Sequence, residues 1–168
     1  MTSLGSSEAF IRMGALSIDH LQHISSTAVA MLGKSGTVAT LLPCTSLFLG
    51  TEYADARRLI TSGARVALAS DFNPGTAPVP GLQLTMLTAA SALRMSAAEI
   101  LAACTFNGAA ALGKVKYLGS LLPGHSADLL LWDTVTKAKS KNGEDILEEI
   151  VIRCLRPVTV LVGGVSVP

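Results

Sequence analysis

Val66-Ala67-Leu68-Ala69-Ser70-Asp71-Phe72-Asn73-Pro74-Gly75-Thr76 is an apolar run that ends on a carboxylate and a tight turn. Residues 66–70 carry almost no polar relief and are bounded by Gly63 before and by Asn, Pro and Gly after, the pattern of a strand buried on both faces. Asp71 stands just past its end. Enzymes built on parallel strands place metal and substrate ligands at that end of the strand. In the turn that follows, proline fixes one dihedral and glycine lets the backbone approach a ligand closely.

The same strand–loop–helix pattern occurs twice upstream. Ala15-Leu16-Ser17-Ile18-Asp19-His20-Leu21 is a short apolar segment delivering an Asp-His pair, and Ser25-Ser26 caps a helix through Leu32 that Gly33 to Gly36 ends. Thr37–Pro43 is a β-branched and leucine run that leads to a Pro-Cys-Thr-Ser loop and a helix from about Glu52 to Ser62. The third unit is the 65–70 strand, followed by a helix around Leu82–Arg94. Three such units predict parallel strands joined by right-handed crossovers, with Asp19, His20, Thr45, Ser46, Asp71 and Asn73 on one shared edge. Before the first unit, residues 6–14 predict a helix end.

A capping box, Ser96-Ala97-Ala98-Glu99, opens a helix extending to Gly113, with Ile100, Leu101, Cys104, Ala111 and Leu112 as its core stripe. Beyond it the composition changes. Residues 118–124 are turn-rich, Ala127–Asp133 is a strand whose Leu129–Leu131 and Trp132 form β-layer core, and Lys137–Asp145 is an exposed lysine-bearing loop. Ile146–Arg153 fits helix or strand, and Val158–Val167 is a hairpin around Gly163-Gly164. The expected division falls near 114: residues 1–114 are either an open three-layer fold or a partial (β/α) barrel, and 115–168 are a segment of a small composite β domain.

Composition narrows the function. The 168 residues are 49% hydrophobic and 15% charged, with a formal net charge of +1, which excludes the clustered basic footprint of a nucleic-acid binder. Mean hydropathy is +0.50, yet no window of about 18 uninterrupted apolar residues occurs, so buried sheet and Ala-rich helices account for it and no membrane partner is expected. Cys44, Cys104 and Cys154 are odd in number and set among apolar neighbours, so packed thiols are the expectation. No secretory signal pattern opens the chain, and a cytoplasmic setting follows as the default.

Ser17–Leu21, Val38–Pro43 and Ala69–Thr76 resemble in sequence and spacing the C-terminal portion of the imidazolonepropionases of the amidohydrolase superfamily. The stretches Asn107–Gly113 and Gly119–Leu129 resemble that superfamily's pattern after the barrel. The resemblance covers roughly residues 14–133, with Asp71–Thr76 its most specific piece. It implies an α/β fold: the last three units of a TIM-like (β/α)8 metal-dependent hydrolase barrel, followed by part of a small β-sandwich domain. A complete barrel needs eight units and rarely fewer than about 200 residues.

The resemblance also implies roles. Asp71 would bind zinc or iron and help handle the proton of the attacking water. His20 would stabilise the substrate carbonyl, and Asn73, Gly75 and Thr76 would hold the ring and product. The reaction would be hydrolytic opening of the cyclic amide 4-imidazolone-5-propanoate to N-formimidoyl-glutamate, in histidine degradation. A metal lowers the pKa of bound water to about 7, and a carboxylate and an imidazole supply proton transfer and carbonyl polarisation. The family's His-X-His pair, fifth-strand histidine and acid/base glutamate have no counterpart here, so the metal site is incomplete and the chain alone is expected to be inactive.

Plainer readings stand beside these. Asp71 fits a turn or N-cap aspartate, His20 a core histidine, His23 a surface residue, His125 a solvated turn residue and Cys44 a packed thiol. Thr45 and Ser46 lack a base that would make either a nucleophile. Two other functions compete: a non-catalytic half-barrel that associates with itself or with a missing N-terminal half, and another cyclic-amide hydrolase or deaminase of the same superfamily.

Overall fold

The computed structural model describes residues 5–133 and 144–167. In chain order the elements are α1 (Ser6–Arg12), β1 (Ser17–Asp19), α2 (Ser26–Leu32), β2 (Val38–Leu41), α3 (Pro43–Leu49), α4 (Ala56–Thr61), β3 (Val66–Leu68), α5 (Leu82–Ser91), α6 (Ala97–Cys104), α7 (Phe106–Ala111), β4 (Leu129–Leu131), α8 (Glu144–Ile152), β5 (Thr159–Val162) and β6 (Val165–Val167). β1, β2 and β3 form a parallel sheet in that order, and β4, β5 and β6 form an antiparallel one. The three strand–helix units and the terminal hairpin stand as the periodicity predicts. The barrel is not closed: the parallel sheet ends at β1 on one side and β3 on the other among the described residues.

Alternation along the strands gives the parallel sheet two different faces. Ile18, Ala39, Leu41, Val66 and Leu68 point outward into the main core, where Ala28, Leu32, Leu59, Ala89 and Ile100 of the surrounding helices cover them. Ser17, Asp19, Val38, Thr40 and Ala67 occupy the opposite, inner face. Val38 and Ala67 form a small second cluster with Ala110 of α7, while Ser17 Oγ lies 2.6 Å from Thr40 Oγ1 and donates to Asp19 Oδ1 at 2.7 Å.

Local chemistry sets the helix ends. Ser25 caps α2, its Oγ accepting from Ala28 N at 3.0 Å and donating to the Glu8 carboxylate of α1. The capping box forms at α6: Glu99 Oε2 accepts from Ser96 N at 2.8 Å and Ser96 Oγ accepts from Glu99 N at 3.3 Å. Arg57 Nη1 of α4 adds a 2.6 Å ion pair to the same Glu99 oxygen.

Four expectations change. The Pro-Cys-Thr-Ser stretch is the first turn of α3, with Pro43 at its start and Gly50 closing it at φ 63; the following helix starts at Ala56 rather than Glu52. The 96–113 helix breaks at Thr105, whose φ of −119 and ψ of −91 are not helical and whose Oγ1 bonds back to Leu101 O at 2.6 Å. This turn re-aims α7, so Ala109 and Ala110 are buried and Leu112 of the predicted stripe is 69% exposed. Residues 144–152 are helix, packed on α5 and α6 with Val151 fully buried. Leu130 and Leu131, expected as β-layer core, are about half exposed; as neighbours on β4 they face opposite sides of the sheet, so neither face is fully covered at this strand among the described residues. The lysine loop lies outside the described residues up to position 143. No helix of the described residues is long and apolar enough to cross a membrane.

At Gly33 the end of α2 meets the end of α4 so closely that an added Cβ would stand 1.9 Å from Ser62 O. Gly33→Ala should therefore destabilise the chain by about 1–3 kcal/mol, whereas Gly36→Ala, with open space around its Cβ position, should be close to neutral; urea titration measures both. Arg57 holds the Glu99 carboxyl below its ordinary value of 4.5. That contribution is complete above 4.5 and is lost as pH falls through the lower folded-state value, so Glu99→Gln should flatten the acid limb of a stability-against-pH curve.

Candidate active site

The C-terminal ends of β1, β2 and β3 place their following residues along one rim. At the end of β3, Asp71 adopts a left-handed backbone, φ 54, and is partly buried. Its carboxylate is anchored by a neighbour in space: Thr45 Oγ1, 94% buried on the first turn of α3, donates to Asp71 Oδ2 at 2.6 Å. One carboxylate oxygen is thus fixed by a hydroxyl that proline and the helix start hold in place. The arrangement is that of a buried hydroxyl fixing the orientation of a carboxylate.

The turn after Asp71 is built around Asn73. Its Oδ1 accepts from Gly75 N at 2.9 Å and Thr76 N at 2.8 Å, and its Nδ2 donates to Asp71 O at 2.6 Å. Asn73 and Ala77 close the base with two main-chain bonds. The Asn73 amide and the N–H groups of Gly75 and Thr76 are therefore engaged within the loop, which makes Asn73 the organiser of its shape.

His20 ends β1 and is exposed. It and Leu21 take successive left-handed conformations, φ 70 and 66, each costing about 1–2 kcal/mol for a residue with a Cβ. The His20 N–H still pairs with Thr40 O at 3.0 Å, and the buried Leu21 side chain pins the turn from below. The His20 side chain borders a crevice walled by Gln22, Leu42, Pro43 and Ser46. Gln22 Nε2 donates to Ser46 Oγ at 3.1 Å, tying the β1 turn to α3. α3 thus touches both halves of the rim, through Ser46 towards β1 and Thr45 towards Asp71. Among the described residues no hydrogen bond links His20 to Asp71.

The remaining polar residues behave as the plainer readings expect. His23 is half exposed, 3.9 Å from the Glu52 carboxylate. His125 Nδ1 lies 3.0 Å from Ser120 Oγ inside its own turn. Cys44 is buried, its Sγ 3.3 Å from Thr85 Oγ1. Burial pushes the Cys104 thiol up to about 11, so it stays protonated at neutral pH.

Among the described residues no group of three or more His, Cys, Asp or Glu side chains converges where a metal could sit. Zinc sites use three or four protein ligands, so Asp71 with its one anchored oxygen does not constitute a metal site, and zinc or iron does not fit the donors of this chain by themselves. Below the rim, a cavity of about 920 Å³ opens between the inner face of the parallel sheet and the antiparallel sheet. Ser17, Asp19, Thr40 and Ala69 wall one side and Leu129 and Leu131 the other; Asp71 and His20 do not line it.

The sequence places Thr45 on the same edge as Asp71 but does not show that the two bond, because the partners lie 26 positions apart. The available signal was Pro43 followed seven residues later by Gly50, the punctuation of a short helix, which places Thr45 on the first turn beside the next strand's end.

Comparison with known proteins gives a consistent pattern. The sequence profile described as Amidohydrolase family matches residues 6–167. An imidazolonepropionase of Thermoanaerobacter pseudethanolicus is 44% identical over 133 residues, which is 79% of this chain and 32% of that protein. One from Bdellovibrio bacteriovorus is 41% identical over 151 residues, 88% of this chain and 36% of that protein. An adenosine deaminase structure from Xanthomonas campestris with bound zinc superposes with a TM-score of 0.76 at 20% identity, covering 89% of this chain and 36% of that one, a likeness of fold alone. The chain spans about a third of the length of these relatives.

The Asn73 amide is the test of loop construction. Asn73→Ala leaves two N–H groups without their acceptor and should cost about 1–3 kcal/mol, with amide protection lost over residues 73–77 and retained in β2; hydrogen exchange read by mass spectrometry distinguishes the two regions.

Proposed function

From the premise that this chain belongs to the amidohydrolase family, we propose that it is the imidazolonepropionase-like portion of a hydrolase that opens the cyclic amide of 4-imidazolone-5-propanoate to N-formimidoyl-glutamate. The observation that carries this reading is the 44% identity to an imidazolonepropionase over 133 residues; the structural likeness to deaminases, at 20% identity, argues for the fold only. In the proposed reaction the Asp71 carboxylate accepts a proton from the attacking water, with Thr45 holding its second oxygen still. The His20 imidazole N–H donates a hydrogen bond to the carbonyl oxygen as the carbon becomes tetrahedral, and the ring C–N bond then breaks as its nitrogen takes the proton that Asp71 removed from the water. Asn73 shapes the loop on which Gly75 and Thr76 meet the substrate. The relatives' metal, zinc or iron in this reading, is held only when ligands from outside this chain join Asp71. Residues 1–114 supply the barrel portion, joined by α8, which packs on α5 and α6, and the β4–β6 sheet supplies the small-domain portion of the same enzyme.

A second reading, a half-barrel that assists another chain without taking part in chemistry, draws on the missing ligand cluster. A chimera separates the two. Residues 14–133 of this chain, placed in the Thermoanaerobacter imidazolonepropionase in exchange for the matching segment, should sustain imidazolonepropanoate hydrolysis, and Asp71→Ala in that chimera should lower kcat by about 10²- to 10⁴-fold. A correctly folded chimera without turnover would sink the catalytic reading.

A further inference from the structure

His20 and Leu21 are successive left-handed residues that carry a Cβ, a conformation that relaxes unless its surroundings over-determine it. On the strand side the His20 N–H donates to Thr40 O at 3.0 Å, and the Leu21 side chain is buried in the main core. Beyond the pair, Ile24 N donates to Leu21 O at 3.4 Å. These contacts hold the strand end and the turn itself. The link from the turn to α3 is made by Gln22, whose Nε2 donates to Ser46 Oγ at 3.1 Å.

Ser46 is a firm footing for that link. It is 2% exposed, and its hydroxyl gives its one proton to Glu52 O at 3.0 Å. Its oxygen therefore receives from Gln22 and cannot donate to it, which fixes the direction of both bonds. Thr51 N donates to Ser46 O at 3.0 Å, so main chain holds Ser46 on that side as well. A second contact joins the same two segments, because His23 Nδ1 lies 3.9 Å from the Glu52 carboxylate. Residues 22–23 thus seat on the 46–52 segment directly after the strained pair, and His20, Gln22 and Ser46 wall one crevice.

We propose that Gln22 and Ser46 are positioning residues for His20: the chain from Gln22 through Ser46 to Glu52 O keeps His20 and Leu21 left-handed and so fixes where the imidazole stands on the rim. The inference rests on the functional reading above, which gives His20 its part at the carbonyl. Ser46 follows Thr45 on the first turn of α3, and consecutive residues of a helix point about 100° apart. Thr45 reaches Asp71 on one side and Ser46 receives the β1 turn on the other. One buried helical turn therefore sets the separation of imidazole and carboxylate. Because the His20 hydrogen bond strengthens as the carbonyl oxygen gains charge, loosening the imidazole costs turnover rather than substrate binding.

The test uses the chimera carrying residues 14–133 and, beside it, the full 168-residue chain. Gln22→Met keeps the side-chain length at a half-buried position and removes the donor. It should lower kcat of the chimera by about 10- to 100-fold with KM within about twofold. Ser46→Ala should do the same; Gln22→Met, which leaves the Ser46–Glu52 bond in place, serves alone should Ser46→Ala misfold. In the His20→Ala background Gln22→Met should change kcat by less than about twofold, since a residue that acts through His20 then has nothing left to position. In the full chain, NMR should show the His20 N–H exchanging about tenfold faster or more in Gln22→Met, while the Val38 N–H of the same sheet keeps its protection. Equal losses of kcat with and without His20, a raised KM at unchanged kcat, parental kinetics, or an unchanged His20 exchange rate would each overturn the proposal. A folded parent chimera without turnover defeats the functional reading alone, and the exchange rate then decides the positioning role: faster exchange at His20 upholds it and an unchanged rate overturns it.

Discussion

Everything in this chain depends on how a three-stranded parallel sheet is covered. The strands are three or four residues long, and the few ladder bonds between them contribute only about 0.5–1.5 kcal/mol each after exchange with water. The outer face supplies more: Leu32, Leu41, Leu59 and Ile100 are essentially inaccessible, and each such side chain contributes about 1.5–3 kcal/mol. The helices thus hold the sheet from one side. The inner face, with its Ser17–Thr40–Asp19 contacts and only Val38 and Ala67 packed on α7, adds little, and its polar character suits a surface that faces functional groups.

The rim inherits its precision from the covered side. α3 is short, but Pro43, Cys44, Thr45 and Ser46 are all buried, and from that footing Thr45 reaches Asp71 while Ser46 receives Gln22. Left-handed backbones at His20, Leu21 and Asp71 are costs that surrounding structure must offset, and such costs concentrate at functional positions. The strand ends thus carry one oriented carboxylate, one exposed imidazole and a self-bonded loop along a single rim.

Much of this was legible in local sequence. The strands before Asp19 and Asp71, the Ser25 cap, the Ser96–Glu99 box and the Gly163-Gly164 hairpin each follow from residues within a few positions of one another. The failures have a common cause in tertiary contact. α3 is hidden because a proline after a β-branched and leucine run reads as the end of a strand, whereas Pro43 starts a helix. The break at Thr105 hid because an Ala-rich run through Gly113 looks continuous, yet Gly119 approaches so closely that a Cβ there would stand 2.8 Å from Thr105 O. The Thr45–Asp71 bond joins two units of the fold, and no periodicity encodes it. Leu130 and Leu131 carry the hydrophobicity of a core, yet both are about half exposed among the described residues, one on each face of the antiparallel sheet.

The position of α8 has a kinetic side. Val151 of α8 joins the main core through α5 and α6, so contacts within one core link elements that α7 and β4 separate in sequence. Contacts of such long sequence separation slow folding. During synthesis the core remains unfinished until the segment around residue 152 has emerged from the ribosome. For that interval the β1 and β3 edges are open while the outer face is still loosely held, which makes the nascent chain, more than the finished one, the species that has to be kept from pairing with the wrong strand.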